Sequence, residues 1–171
     1  MTPEKLNQVL TADRLRNVLI YDGETGRFLW AISFRGVNRG SMAGGSSKAK
    51  GYMRIQVDGQ QYAAHRLAWL YVYGCWPSFE IDHINGVRHD NRISNLRDVS
   101  RAVNSQNIQK ARSDNKSAGL IGASWNKRAK KFSAQIVVGG RKRHLGLFQT
   151  AEIANQAYVN AKRIYHPGNQ L

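Results

Sequence analysis

Asp82 and His83 are neighbours in the run Glu80-Ile81-Asp82-His83-Ile84-Asn85-Gly86, and two asparagines follow at set intervals. Asn95 lies twelve residues after His83, and Asn104 nine further on. An imidazole can take a proton from water near neutral pH, and carboxylate and amide oxygens can hold a hard cation. Phosphodiester hydrolysis needs an activated water, counter-charge for the transition state and help for the leaving oxygen, all of which an imidazole beside one metal can meet. Alone, an Asp-His pair is more often a surface feature, and Asn91 and Asn95 could be plain turn residues. The spacing of the whole set carries the reading.

Certain elements must position these residues. Adjacent strand residues point to opposite faces, so Asp82 and His83 can take different jobs from one short strand. Asn85-Gly86 opens a turn-rich loop, Asn95 to Val99 suits a returning strand, and Ser100 is a natural N-cap for a helix carrying Val103, Asn104 and Asn107. Such a strand–loop–strand–helix unit would fold Asn104 back toward Asp82. Upstream, Thr11 caps a helix from Ala12 to Leu19, and Asp22 to Gly26 turns into a strand, Arg27 to Ala31. Gly40 to Gly51 reads equally as a linker or as a basic loop on phosphates. Asp58-Gly59 joins two strands of a hairpin, and His65 to Tyr73 forms a helix closed by Gly74 and Pro77. His65 reads as a structural histidine, His89 as exposed and Cys75 as a small core residue.

Charge points to the partner. Lys plus Arg number 26 against 11 Asp plus Glu, a net of +15, which attracts polyanions. The excess is uneven: residues 111–171 hold 11 basic and 2 acidic side chains (+9), residues 61–110 hold 6 and 4 (+2). The electrostatic anchor is therefore expected in the C-terminal third. A single cysteine excludes an internal disulfide or a cysteine-rich zinc site. No apolar run is long enough to cross a bilayer and no secretory leader is legible, so a cytoplasmic, intracellular location is expected.

The runs from Glu80 to Gly86, Asp90-Asn91-Arg92-Ile93-Ser94-Asn95-Leu96-Arg97 and Asn104-Ser105-Gln106-Asn107 resemble the His-Asn-Asn variant of the HNH, or ββα-metal, homing endonucleases. His65-Arg66-Leu67-Ala68-Trp69 and Cys75-Trp76-Pro77 resemble its phage-type members. The resemblance implies that His83 is the general base and that Asp82 and Asn104 hold the cation. Asn95 would brace the hairpin and orient His83. Asn104 stands where the family often has histidine. Few, oxygen-only ligands favour Mg2+ or Mn2+ over zinc.

Past a polar linker at 111–116, strands at Ile121 to Trp125, Phe132 to Val138 and Arg141 to Phe148 precede a helix capped by Thr150, with Ala154, Ala157, Tyr158, Ala161 and Tyr165 as its stripe. Ser117 to Trp125, Lys131 to Ile136, His144 to Phe148 and Thr150 to Ala154 resemble the Apetala-type, ethylene-response-factor-like DNA-binding domain. That resemblance implies a sheet in the major groove, although Ser124 replaces one usual basic residue. Period-2 alternation turns Phe132, Ala134, Ile136 and Val138 toward the helix and Ser133, Gln135 and Val137 outward. Trp125, Lys127, Arg128, Lys130, Gln135, Arg141 and Arg143 are the expected DNA contacts, with Trp125 as readily a core aromatic.

The expected architecture is α+β: an N-terminal region and HNH nuclease domain over 1–110 (core 80–110), a linker at 111–116 and a DNA-binding domain over 117–171. The expected activity is metal-dependent cleavage of double-stranded DNA by a monomer with one active site, in a homing or nicking role. The alternatives are a non-catalytic DNA-binding protein on an HNH scaffold and an RNA-directed nuclease.

Overall fold

The computed structural model describes residues 9–46, 51–108, 111, 115–166 and 168–169. The chain is an α+β protein of small antiparallel sheets and divides into two compact units, Met1–Val99 and Ser100–Leu171.

In the first unit, the Thr11 side chain accepts from the Arg14 amide and starts α1 (Ala12–Val18). The chain passes directly into β1 (Leu19–Asp22), a strand absent from the sequence reading. Leu15, Val18 and Leu19 fit a helical stripe, but Leu19-Ile20-Tyr21 also suits a strand, and pairing with β2 (Arg27–Trp30) decides it. The Asp22 carboxylate accepts from the Glu24 amide and the Thr25 hydroxyl, fixing the turn between them.

Strands β3 (Gly45–Ser46), β4 (Met53–Val57) and β5 (Gln60–Ala63) form a sheet in that order, and Asp58-Gly59 makes the expected hairpin turn. Part of the stretch from Gly40 to Gly51 thus becomes β3, while residues 47–50 lie outside those described. Helix α2 (Ala64–Tyr73) ends at Gly74 in the left-handed conformation. It buries Leu67 and Leu70 against Leu15, Leu19, Phe28 and Ile55. Each large core side chain contributes roughly 1.5–3 kcal/mol by leaving water. Cys75, expected in this core, is exposed, because α2 has already ended and the chain bends outward there.

Strands β6 (Glu80–His83) and β7 (Leu96–Val99) pair from Glu80↔Val99 to His83↔Leu96. Asn95 sits one residue before β7, in a 3-10 turn, Ile93–Asn95.

The second unit opens with Ser100, whose hydroxyl accepts from the Val103 amide at the start of α3 (Arg101–Gln106). Strands β8 (Ala123–Asn126), β9 (Lys131–Val138) and β10 (Arg141–Phe148) form an antiparallel sheet with β9 central. Helix α4 (Ala151–Tyr165), capped by Thr150, lays Ala154 against Ala123 and Ala134. Tyr165, expected in its buried stripe, is 39% exposed. Of the expected linker, residues 112–114 lie outside those described. Among the described residues, no helix is long and apolar enough to cross a membrane.

Candidate functional site

β6 buries Ile81, Asp82 and His83, leaving His83 4% and Asp82 7% exposed. In the antiparallel register Asp82 stands opposite Arg97, and the two share a face. Arg97 donates to Asp82 Oδ2 from Nε at 3.0 Å and from Nη2 at 2.7 Å. Two ions held this far from solvent are tolerable only because they pair. Motif spacing alone assigns Arg97 no role; the strand register does.

The His83 ring meets a partner that the sequence left as a plain turn residue. Its Nε2 lies 3.1 Å from Asn91 Oδ1, and Asn91 is 1% exposed. An amide oxygen only accepts, so the contact places the hydrogen on Nε2 and the lone pair on Nδ1. Asn91 is itself held from the N-terminal hairpin. The Tyr21 hydroxyl donates to the Asn91 carbonyl at 2.7 Å. Burial pushes the Tyr21 phenol up to about 12, so it keeps that proton. Gly26, at φ +70°, lies so close that a β-carbon would stand 2.4 Å from the Arg92 nitrogen and 2.6 Å from the Asn91 carbonyl carbon. Only glycine permits that approach. No spacing signal marks Asn91 in advance; its role comes from folding β1 and β2 against the loop.

Asn95 staples the loop. Its Oδ1 accepts from the Asn85 amide at 2.9 Å, its Nδ2 donates to the Asp90 carbonyl at 2.8 Å, and its own carbonyl accepts from the Ile84 amide. Asp90 adds a second set of ties, accepting from Asn85 Nδ2 and Arg92. The Arg92 hydrogen bonds hold its carboxyl down at about 2. The Asn95 bonds run to the loop backbone, whereas the imidazole nitrogen is met by Asn91.

Burial pushes the His83 imidazole below its ordinary range, against the opposing pull of its Asn91 bond and of Asp82 and Asp90. His65 packs edge-on to it, ring centres 5.2 Å apart, and Tyr52 lies 5.3 Å from His65 and 5.9 Å from His83. Burial first, then His83 and Arg66, lower His65 to about 4. At neutral pH both rings are uncharged, as a base must be. His89 is exposed.

Residues 62–106 match the family model of the HNH endonucleases. The matched stretch runs from β5 to the end of α3. It contains Asp82, His83, Asn91, Asn95 and Asn104. No curated protein and no solved structure matches this chain. Among the described residues of the HNH stretch and the rest of the chain, no three His, Cys, Asp or Glu side chains gather as a metal cage.

Asn104 belongs to α3 in the second unit, where its amide donates to the Ser100 carbonyl. That helix is anchored within its unit. Lys162 of α4, 1% exposed, donates from Nζ to the Ile108 carbonyl at 2.5 Å, and the Gly168 amide donates to Gln106 Oε1 at 3.2 Å.

The register of the C-terminal sheet sorts the expected DNA contacts. Directly opposed residues share a face. Gln135 pairs with His144, and Val137 with Lys142, on the face turned away from α4. Arg143 pairs with buried Ile136, and its guanidinium lies 5.1 Å from the Tyr165 ring of α4. Arg141 pairs with Val138 on that same side. Trp125 pairs with Phe132 and packs edge-on to it at 4.9 Å, though 41% of it stays exposed. Lys127, Arg128 and Lys130 are exposed in the turn between β8 and β9. Lys142 and His144, passed over in the sequence, were findable: a two-residue Gly139-Gly140 turn fixes the parity of β10 from that of β9.

Proposed function

We propose that this chain is a divalent-metal-dependent endonuclease of double-stranded DNA. The observation that carries this reading is the Nε2–H bond from His83 to buried Asn91, which leaves Nδ1 basic in a ring kept neutral. His83 Nδ1 takes the proton of the attacking water. As the ring becomes an imidazolium, Asn91 Oδ1 goes on accepting from Nε2 and helps carry the charge. Asn95 keeps the loop that presents Asn91 closed.

Asp82 and Asn104 would hold the cation, Mg2+ or Mn2+. A carboxylate and an amide oxygen suit a hard cation that keeps water and takes phosphate oxygens as its other ligands. When bound, the cation supplies counter-charge to the transition state and to the leaving oxygen. Arg97 holds the Asp82 carboxylate in one orientation. The products would carry 3′-hydroxyl and 5′-phosphate ends, as the resemblance implies, and a single centre per chain fits a monomeric nickase in a homing or phage setting.

The C-terminal sheet and helix, read as an Apetala-type domain, would grip the duplex. Gln135, Lys142 and His144 on the outer face and Lys127, Arg128 and Lys130 in the turn are the proposed contacts. Arg141, Arg143 and Trp125 stand on the α4 side of the sheet.

Supercoiled plasmid incubated with Mg2+ or Mn2+ tests the reading. The wild-type chain should nick or linearise it, and His83→Ala should abolish that while DNA affinity persists. No cleavage by the wild type under any divalent cation would sink the nuclease reading.

A further inference from the structure

Beyond β2, residues 31–42 form a lobe of unusual surface. The Trp30 amide donates to the Ser41 carbonyl at 2.9 Å and the Gly40 amide to the Trp30 carbonyl at 2.8 Å, closing its base. At its tip, Phe34 and Val37 exchange both backbone hydrogen bonds, at 3.0 and 2.7 Å. The two residues between them are Arg35 (φ +33°) and Gly36 (φ +83°). Tight hairpin turns place Asn, Asp or Gly where φ is positive, because other side chains are strained there. An arginine in that position costs stability, and such outliers cluster where the side chain has work to do.

The surface around this tip is apolar and positive. Ile32, Phe34 and Met42 are 40%, 40% and 52% exposed. Phe34 is propped edge-on against Trp30 at 4.7 Å, so it projects from a fixed base. Arg35 and Arg39 are exposed. Among the described residues, the ion pairs of Arg14, Arg16, Arg92 and Arg97 involve neither Arg35 nor Arg39. From residue 25 to 57 the chain carries six Lys and Arg and no Asp or Glu.

We propose that this lobe is a second contact for double-stranded DNA, separate from the C-terminal sheet. Arg35 and Arg39 meet phosphates on either side of a groove, and Phe34 makes the apolar contact within it. The argument for DNA as the occupant is charge: an all-cationic stretch offers an acidic backbone a partner at every turn. An apolar residue between cations is also the combination that groove-wedging proteins use to hold a deformed base step. The inference rests on duplex DNA as the partner named above, but not on cleavage.

The test measures binding of the full-length chain to a 40-bp duplex by fluorescence anisotropy, in EDTA, over a series of salt concentrations. Each lost phosphate contact lowers the slope of log K against log salt by roughly 0.9. Arg35→Ala/Arg39→Ala should therefore flatten the slope by about 1.8, and Arg35→Lys/Arg39→Lys should restore it. Phe34→Ala should weaken binding several-fold at an unchanged slope. Thermal melts establish that each variant folds. An unchanged slope in the folded double alanine variant overturns the proposal. So does a slope change confined to duplex RNA, or an effect of Phe34→Ala on sedimentation alone, which would make the lobe a contact between copies. Because the assay excludes divalent metal, a chain that failed to cut plasmid could still pass it, and the two readings fail separately.

Discussion

Nε2 of His83 and Oδ1 of Asn91 are 3.1 Å apart, and Asn91 has almost no exposed surface. Asn91 therefore selects the tautomer of His83, the proposed base. Asn91→Ala should lower kcat for cleavage by about 10–100-fold, the usual cost of losing such an orienting partner, with KM for DNA nearly unchanged. Asn91→Asp places a carboxylate at Nε2, which favours the imidazolium, so the acid limb of the pH–rate profile should move to higher pH. A wild-type profile in both variants would remove Asn91 from the mechanism.

Arg97 neutralises Asp82, whose side chain is 8% exposed. Arg97→Met should destabilise the fold by about 3 kcal/mol, because a buried carboxylate loses its partner. A divalent cation binding at Asp82 should restore more of that loss in the variant than it adds to the wild type. Melting temperatures with and without Mn2+ check this, and equal increments in both proteins would count against Asp82 as a metal ligand.

His65, lowered to about 4, gives stability a pH dependence of definite sign. It is neutral when folded and charges more easily unfolded, so its contribution is complete above about 6.5 and declines as pH falls toward 4. That shift corresponds to about 3 kcal/mol over the window. Urea unfolding at pH 7 and pH 5 should show a marked loss that His65→Leu reduces. Asp90, held down at about 2, acts lower still: its contribution is present above about 4 and disappears as pH falls through 2.

Lys142 and Arg143 are neighbours on opposite faces of β10, and their substitutions should separate. Lys142→Ala should weaken DNA binding and flatten the salt slope by roughly 0.9. Arg143→Ala should leave the slope nearly unchanged but cost about 0.5–1 kcal/mol of stability through its Tyr165 contact. The opposite pattern in anisotropy and melting would invert the proposed face.

Much of the scaffold was legible because local chemistry dictates it. Thr11, Ser100 and Thr150 cap helices by accepting backbone amides, and Asp58-Gly59 and Gly139-Gly140 turn hairpins. β1 was missed because apolar residues at 15, 18 and 19 satisfy helix and strand alike until β2 is there to pair. The short strand carrying Asp82 and His83 was readable from local sequence, whereas Asn95, expected to open the returning strand, lies in the turn before it. The two contacts that tune Asp82 and His83 were not readable: Asn91 depends on Tyr21 and Gly26, about seventy residues earlier, and Arg97 on a register set by the intervening loop.

The anchoring of α3 bears on how such a chain can be re-engineered or shuffled. Lys162 and Gly168 fasten Ile108 and Gln106 to the C-terminal fold, so the helix bearing Asn104 travels with that fold. A chimaera spliced at 111–116 would graft in a foreign module and strand the Ile108 carbonyl without its ammonium donor. Joining the halves before Ser100 keeps that bond intact, and the replaceable cassette is then larger than the DNA-reading sheet alone.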